Sequence, residues 1–235
     1  FLVVHHFFDN YINYCTYLYY QKKNQIIVTN LKKIYNFFMK LKSNINFYLL
    51  FIFLILTIFS GCQTKFPQEK VISSIFIDDD GIKNESQLVD FFMFKNPNGD
   101  IEKVKRLAKF YVKQGNYEGI NSDIAFVQMC LETGFLKFGL LVKPEMNNFC
   151  GLGAIDKNNP GLSFKTEEEG VIAHIQHLHA YGTTRNLKGT LIDSRYKYVL
   201  PRGKAPTIYE LSGTWASDKQ YGNKLASLLE TLAEF

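Results

Sequence analysis

Cysteine is scarce in this chain of 235 residues, which holds four, together with one tryptophan and six prolines. Cys15 lies near the start and Cys62 at a change of composition, so only Cys130 and Cys150 remain for the later part. Two are too few for a disulfide-stapled scaffold. An exported pair can oxidise, but both lie in apolar runs where a thiol packs as a small hydrophobe. A long apolar run is missing as well: Phe47 to Phe59 is 13 residues, whereas a membrane-spanning helix needs about 20. No metal set is evident, because His174 and His177, three apart on a helix, lack a third ligand at suitable spacing. Gly151, Gly153 and Gly161 do not make a dinucleotide fingerprint, having no preceding strand and following helix.

A basic excess is lacking too once the chain is divided at Cys62. The formal charge of +5 belongs to residues 1–61, with six Lys and one Asp; residues 62–235 balance 21 Lys plus Arg against 21 Asp plus Glu. A neutral remainder excludes the electrostatic footprint of a nucleic-acid binder.

What is present begins with an export pattern. Met39, Lys40 and Lys42 precede the apolar run, which is the length of a signal-peptide core. Translation is expected to start at Met39, making residues 1–38 an upstream, non-native extension and 39–61 the signal peptide. Phe59-Ser60-Gly61-Cys62 resembles the bacterial lipoprotein processing site, with Phe59 in place of the usual Leu. The resemblance implies a lipidated Cys62 as mature N-terminus, anchored in a membrane and facing the periplasm or cell wall. Lipid chains hold by about 0.8 kcal/mol per buried methylene.

Residues 62–86, with Pro67, Asp78-Asp79-Asp80 and Gly81, read as a tether holding one short strand from Val71 to Ile77. A flexible coil of that length reaches roughly 25 to 30 Å. Residues 87–235 read as one domain, mainly α with a small β element (α+β). Ile101, Val104, Leu107, Ala108 and Tyr111 fall at helical spacing. Thr166 to Glu169 is a capping-box pattern opening a helix with Val171, Ile172, Ile175, Leu178 and His179 on one face, and Thr207 to Glu210 repeats that cap. A last helix carries Leu225, Leu228, Leu229 and Leu232. The stretches 149–164 and 183–206 suit loops or short strands flanking a cleft.

Chemistry points to Glu132. From Ile124 to Leu131 only Gln128 is polar, the pattern of a helix buried on all sides, and Gly134 sits where such a helix stops. A carboxyl in that last turn meets the negative end of the helix dipole and loses hydration, and both raise its pKa. A raised carboxyl can hold a proton near neutrality and deliver it to a leaving oxygen, as in glycosidic cleavage. An exposed or salt-bridged helix-end Glu is the bland alternative.

An ordered set of motifs follows Glu132-Thr-Gly134: Asn147 to Gly153, Ser163 to Gly170, Ala173-His-Ile-Gln-His-Leu178, Asp193 to Tyr198, and Leu211 to Gly222 with Trp215-Ala216 and Tyr221. Together, over about residues 115 to 232, they resemble the glucosaminidase family of peptidoglycan hydrolases, often labelled mannosyl-glycoprotein endo-β-N-acetylglucosaminidase. The resemblance implies a lysozyme-like fold, with a helical lobe, a small β element and a glycan-binding cleft. It also implies cleavage after N-acetylglucosamine by Glu132, without cofactor or metal. The second catalytic group is either a carboxylate (Glu169, Glu168, Glu167 or Asp156) or the substrate's own N-acetyl group, and the family pattern favours Glu169. Tyr221 matches the Tyr that lines the site near the acid, and its alternative is a core Tyr. Asn148 and Phe149 match a cleft-lining turn. Trp215 is expected either to cover a sugar face or to anchor the core. Asp193 and Arg195 are expected to pair within a loop. The expected partners are peptidoglycan glycan strands and a membrane through lipid on Cys62, with the protein acting as a monomer. A lytic transglycosylase and a non-catalytic glycan-binding envelope lipoprotein are the rival readings.

Overall fold

Among the described residues, five helices and one small hairpin carry the site; the first four helices each start on a side chain that accepts free N–H groups, while the last has no such cap and its Gly222 N–H donates to the Ser212 hydroxyl at 2.9 Å. Helix α1 (Glu85–Lys95) has a reciprocal capping box between Asn84 and Gln87. Helix α2 (Ile101–Glu118) starts on Asp100, which accepts the Glu102 and Lys103 N–H groups, and stops at left-handed Gly119. Helix α3 (Ser122–Thr133) starts on Asn121 and stops at left-handed Gly134, whose N–H returns to the Cys130 and Leu131 carbonyls. After the 3₁₀ turn Pro144–Met146 come the antiparallel strands β1 (Ala154–Asp156) and β2 (Asn159–Pro160). Then follow α4 (Glu167–Gly182), the 3₁₀ turn Tyr196–Tyr198 and α5 (Tyr221–Leu232).

The computed structural model describes Lys33, residues 71–139 and residues 141–235. The expected upstream extension (Lys33 aside), signal peptide and Cys62 lipidation site lie outside the described residues. The chain divides into two compact units, Phe1–Gln68 and Glu69–Phe235, and every element above belongs to the second.

The second unit is mainly helical with one two-stranded sheet, as expected. Helix α3 is its axis: Ile124 through Cys130 are all buried, so it meets protein on every side. Helix α2 buries Val104, Leu107, Ala108 and Tyr111, and α5 buries Leu225, Leu229 and Leu232, with Leu228 half-buried. Helix α4 is enclosed more fully than a single stripe predicts, because α2 and α3 pack on it together with the 3₁₀ turn Tyr196–Tyr198. Loop 147 passes close enough to α4 that a Cβ on Gly170 would lie 1.8 Å from the Asn147 carbonyl oxygen, so only glycine fits there.

Three expectations require correction. The tether ends earlier than residue 86. Ser73 and Ile77 are buried, and Ile77 N–H donates to the Pro206 carbonyl at 2.9 Å while its carbonyl accepts Asn121 N–H at 2.9 Å. The Asp123 carboxylate accepts the Ser73 hydroxyl and, at 2.9 Å, Ile82 N–H, tying the strap to the start of α3. The Thr166 cap is only half a box: its hydroxyl accepts Glu169 N–H, but Glu169 bonds Lys165 N–H at 2.9 Å instead of returning to Thr166. Finally, Thr207 to Glu210 opens no helix. The Glu210 carboxylate accepts the Thr207 N–H and hydroxyl, and the chain continues as turns.

Candidate active site

Glu132 stands one residue before the end of α3, and Gln128 lies one turn earlier on the same face. Helix α5 begins with Tyr221, and the turn before it carries Trp215. These elements converge on one oxygen. Trp215 Nε1 donates to Glu132 Oε1 at 2.9 Å, and the Tyr221 hydroxyl makes a short hydrogen bond to the same atom. Gln128 Nε2 donates to the Tyr221 hydroxyl at 3.0 Å. Gln128 Oε1 meets His174 Nε2 at 3.0 Å, and His174 Nδ1 meets the Tyr111 hydroxyl at 2.8 Å.

Electrostatics at Glu132 pull two ways. Burial raises the carboxyl above the ordinary glutamate range, while the Tyr221 and Trp215 hydrogen bonds favour the charged form and lower it; the net direction is up. As a whole residue Glu132 is nonetheless exposed, its open side facing solvent while the carboxyl oxygen lies against Tyr221 and Trp215. An accessible carboxyl with protein on its other sides meets both requirements of a proton donor, contact with substrate and a poorly solvated charge. Burial, chiefly, and the neighbouring Glu132 charge push the Tyr221 phenol far up, so it stays a neutral donor. Burial pulls His174 down from 6.5 to about 3, leaving a neutral imidazole.

Trp215 is half-buried and ringed by aromatics, with its centroid 5.9 Å from His174, 5.2 Å from His177 and 5.2 Å from Tyr181. Its indole thus serves the core and the acid at once. His177 pairs with buried Asp193 at 2.7 Å. The expected Asp193–Arg195 pairing takes another form, in which the Asp193 carboxylate accepts the Arg195 backbone N–H at 2.9 Å. Among the described residues no group of three or more His, Cys, Asp or Glu could hold a metal. Cys130 and Cys150 are buried free thiols.

Asn148 and Phe149, expected to line the cleft, are interior residues, 1% and 0% exposed. The Asn148 amide is consumed by the backbone, donating to the Leu152 and Leu162 carbonyls and accepting Leu152 N–H, each at 2.9 Å. They shape the loop rather than present polar atoms to a ligand. A cavity of about 420 Å³ opens beside the turn after α3, lined by Asn98, Lys103, Leu136, Lys137 and Phe138 among others, with Glu132 outside its lining.

The candidate second carboxylates all have local partners. Glu169 bonds Lys165 N–H, Glu168 pairs with Lys113 at 2.8 Å, Glu167 with Arg106 at 2.8 Å, and Asp156 accepts the Asn158 and Asn159 N–H groups. None of the four shares a hydrogen bond with Glu132. Gln128 is the residue that sequence reasoning noticed without using. Its signal was a lone polar side chain in an apolar helix, one turn before the acid.

Residues 108–234 match the Glucosaminidase family, described as mannosyl-glycoprotein endo-beta-N-acetylglucosaminidase. The chain belongs to this family, and it is a glycoside hydrolase. An uncharacterized protein of Borreliella burgdorferi is 42% identical over 173 residues, 74% of this chain and 83% of that protein. Crystal structures of S. aureus autolysin E, one with the muropeptide NAM-L-Ala-D-iGlu and one of a catalytic mutant with the disaccharide NAG-NAM, share 15% identity at a TM-score of 0.44. Each match covers 70% of this chain, and 74% and 75% of those chains respectively.

Proposed function

We propose that this protein hydrolyses the β-1,4 bond after N-acetylglucosamine in peptidoglycan, with Glu132 as general acid. One observation carries the reading: in a glycoside hydrolase, the carboxyl of Glu132 is raised by burial and held through a single oxygen by Tyr221 and Trp215. Its proton passes to the glycosidic oxygen as the bond to the anomeric carbon breaks, and the oxocarbenium-like centre is captured from the other face. A water supplies the new reducing hydroxyl, and its proton restores Glu132. With Glu169, Glu168, Glu167 and Asp156 engaged locally, the substrate's N-acetyl oxygen is the group that meets the developing charge. Lipid on Cys62 holds the domain at the bacterial envelope, where a monomer acts on nearby glycan strands.

Digestion of purified peptidoglycan by residues 69–235, with product masses recorded, tests this reading. Reducing N-acetylglucosamine ends are expected. Anhydromuramic ends would mean lytic transglycosylation, and binding without new ends would mean a glycan-binding protein. Glu169→Gln tests the second group: the variant is expected to keep most turnover, because its carboxylate serves the start of α4. Loss of turnover in a folded Glu169→Gln protein would make Glu169 the missing carboxylate.

A further inference from the structure

We propose that Gln128, His174 and Tyr111 are positioning residues, forming a one-way chain of buried hydrogen bonds that aims the Tyr221 hydroxyl at Glu132 Oε1 and leaves Oε2 to carry the transferable proton. The inference rests on Glu132 being the general acid. It follows from the polarity of each bond. An indole N–H only donates, so Trp215 makes Oε1 an acceptor, and the Tyr221 hydroxyl donates to the same atom. The Tyr221 oxygen is then free to accept from Gln128 Nε2. That end of the amide being the donor, Gln128 Oε1 accepts from His174 Nε2–H, which leaves Nδ1 bare to accept the Tyr111 hydroxyl. Each intermediate group donates once and accepts once along the chain, and each of its nitrogen and oxygen atoms has a partner.

The opposite direction fits less well. Oε1 would have to carry the proton and give it to Tyr221, away from any sugar, while still accepting from Trp215. In the direction assigned, Oε1 accepts two bonds whether Glu132 is charged or neutral, so proton loss from Oε2 requires no rearrangement. The chain crosses four helices: Tyr111 on α2, Gln128 and Glu132 on α3, His174 on α4 and Tyr221 on α5. Tyr111, Gln128 and His174 are fully buried and Tyr221 is 5% exposed. A polar chain in such an interior is costly unless every member is satisfied, and rigid when it is. The neutral state of His174, whose pKa burial pulls down to about 3, keeps its donor and acceptor ends distinct over the working pH range.

The other groups that face Glu132 are few. The Glu132 charge acts through space on Cys150, a buried thiol that burial, chiefly, pushes well up, hence neutral. Beyond Trp215 lie Tyr181, also raised by burial, and the His177–Asp193 pair. The Glu132 carboxyl takes its hydrogen bonds from Trp215 and Tyr221, not from these groups.

The test is kcat against pH on purified peptidoglycan for wild type, Gln128→Met, Tyr221→Phe and the double variant. The alkaline limb of kcat reports loss of the proton from the acid in the bound complex. Removing a donor that favours the charged form raises the acid's pKa, so the limb moves to higher pH. A shift on the order of one unit is expected for Tyr221→Phe, and a smaller one in the same direction for Gln128→Met. In both, kcat falls and KM changes little. The double variant shifts no further than Tyr221→Phe alone, because Gln128 acts through that hydroxyl. A folded Gln128→Met protein with an unmoved limb, or shifts that add in the double variant, would overturn the proposal. Should Gln128→Met not fold, Tyr111→Phe keeps the ring and removes only the outer hydroxyl. The same direction of shift is expected there, and an unmoved limb counts against the chain equally. Glu132→Gln separates the two assignments: activity in that variant defeats the acid, whereas inactivity with an unmoved Gln128→Met limb defeats only the positioning chain.

Discussion

A carboxyl that must keep a proton until a leaving oxygen demands it cannot sit in bulk water, where an ordinary glutamate is ionised at neutral pH. As the acid proposed, Glu132 meets this demand by partial enclosure, which raises its carboxyl, while two donors, Tyr221 and Trp215, pull it back. The lone tryptophan thereby becomes a reporter. As Glu132 ionises, the acceptor of the indole N–H gains charge, and Trp215 emission is expected to change with a midpoint above the ordinary glutamate range. The Glu132 step is the one that disappears in Glu132→Gln. An emission profile unaltered by that substitution would show that indole and carboxyl are not coupled.

At the scale of elements, the strap before α1 carries more of the structure than its composition implies. Ile77 is fully buried, and a Cβ on Gly182 would lie 2.3 Å from its Cγ2. Asp123 is buried, and Ser73, Ile82 and Lys83 supply its hydrogen bonds. A chain starting at residue 87 therefore loses a core residue and leaves a buried carboxylate without those partners. It is expected to be less stable than residues 69–235 by at least about 3 kcal/mol, read from denaturant midpoints; equal midpoints would restore the strap to a tether. Four of the five helices were legible, because their signals are local: Gly134 as a stop, Thr166 as a cap, and the apolar spacing of Leu225, Leu229 and Leu232; α1 was not among the helices expected. The strap was not, since the three acidic residues after Ile77 read as solvated chain and its partners lie far along the sequence. Thr207 to Glu210 misled for the converse reason. The side-chain exchange of a cap forms there, but Gly213, three residues after Glu210, takes a left-handed φ of 80° and the chain turns instead of extending a helix.

Across the whole molecule, the same division between local and distant information governs the site. Glu132 could be singled out because a charge ending an apolar helix is anomalous in one dimension, and Tyr221 and Trp215 because they recur in a family pattern. That Gln128 and His174 would meet them, and that Asn148 would be spent on its own loop, depends on four helices closing together. In the function proposed, the chemistry is concentrated on a single carboxyl. The most direct measurement is the rate at which new reducing ends appear when purified peptidoglycan is treated with residues 69–235, wild type against Glu132→Gln, with thermal unfolding run in parallel. Since a positioned acid is worth about 10²- to 10⁴-fold, the account predicts a loss of at least about 10²-fold in a protein that unfolds at no lower temperature at neutral pH, where the neutral amide spares the fold a poorly solvated charge. Reducing ends released by Glu132→Gln at a rate close to wild type would contradict it.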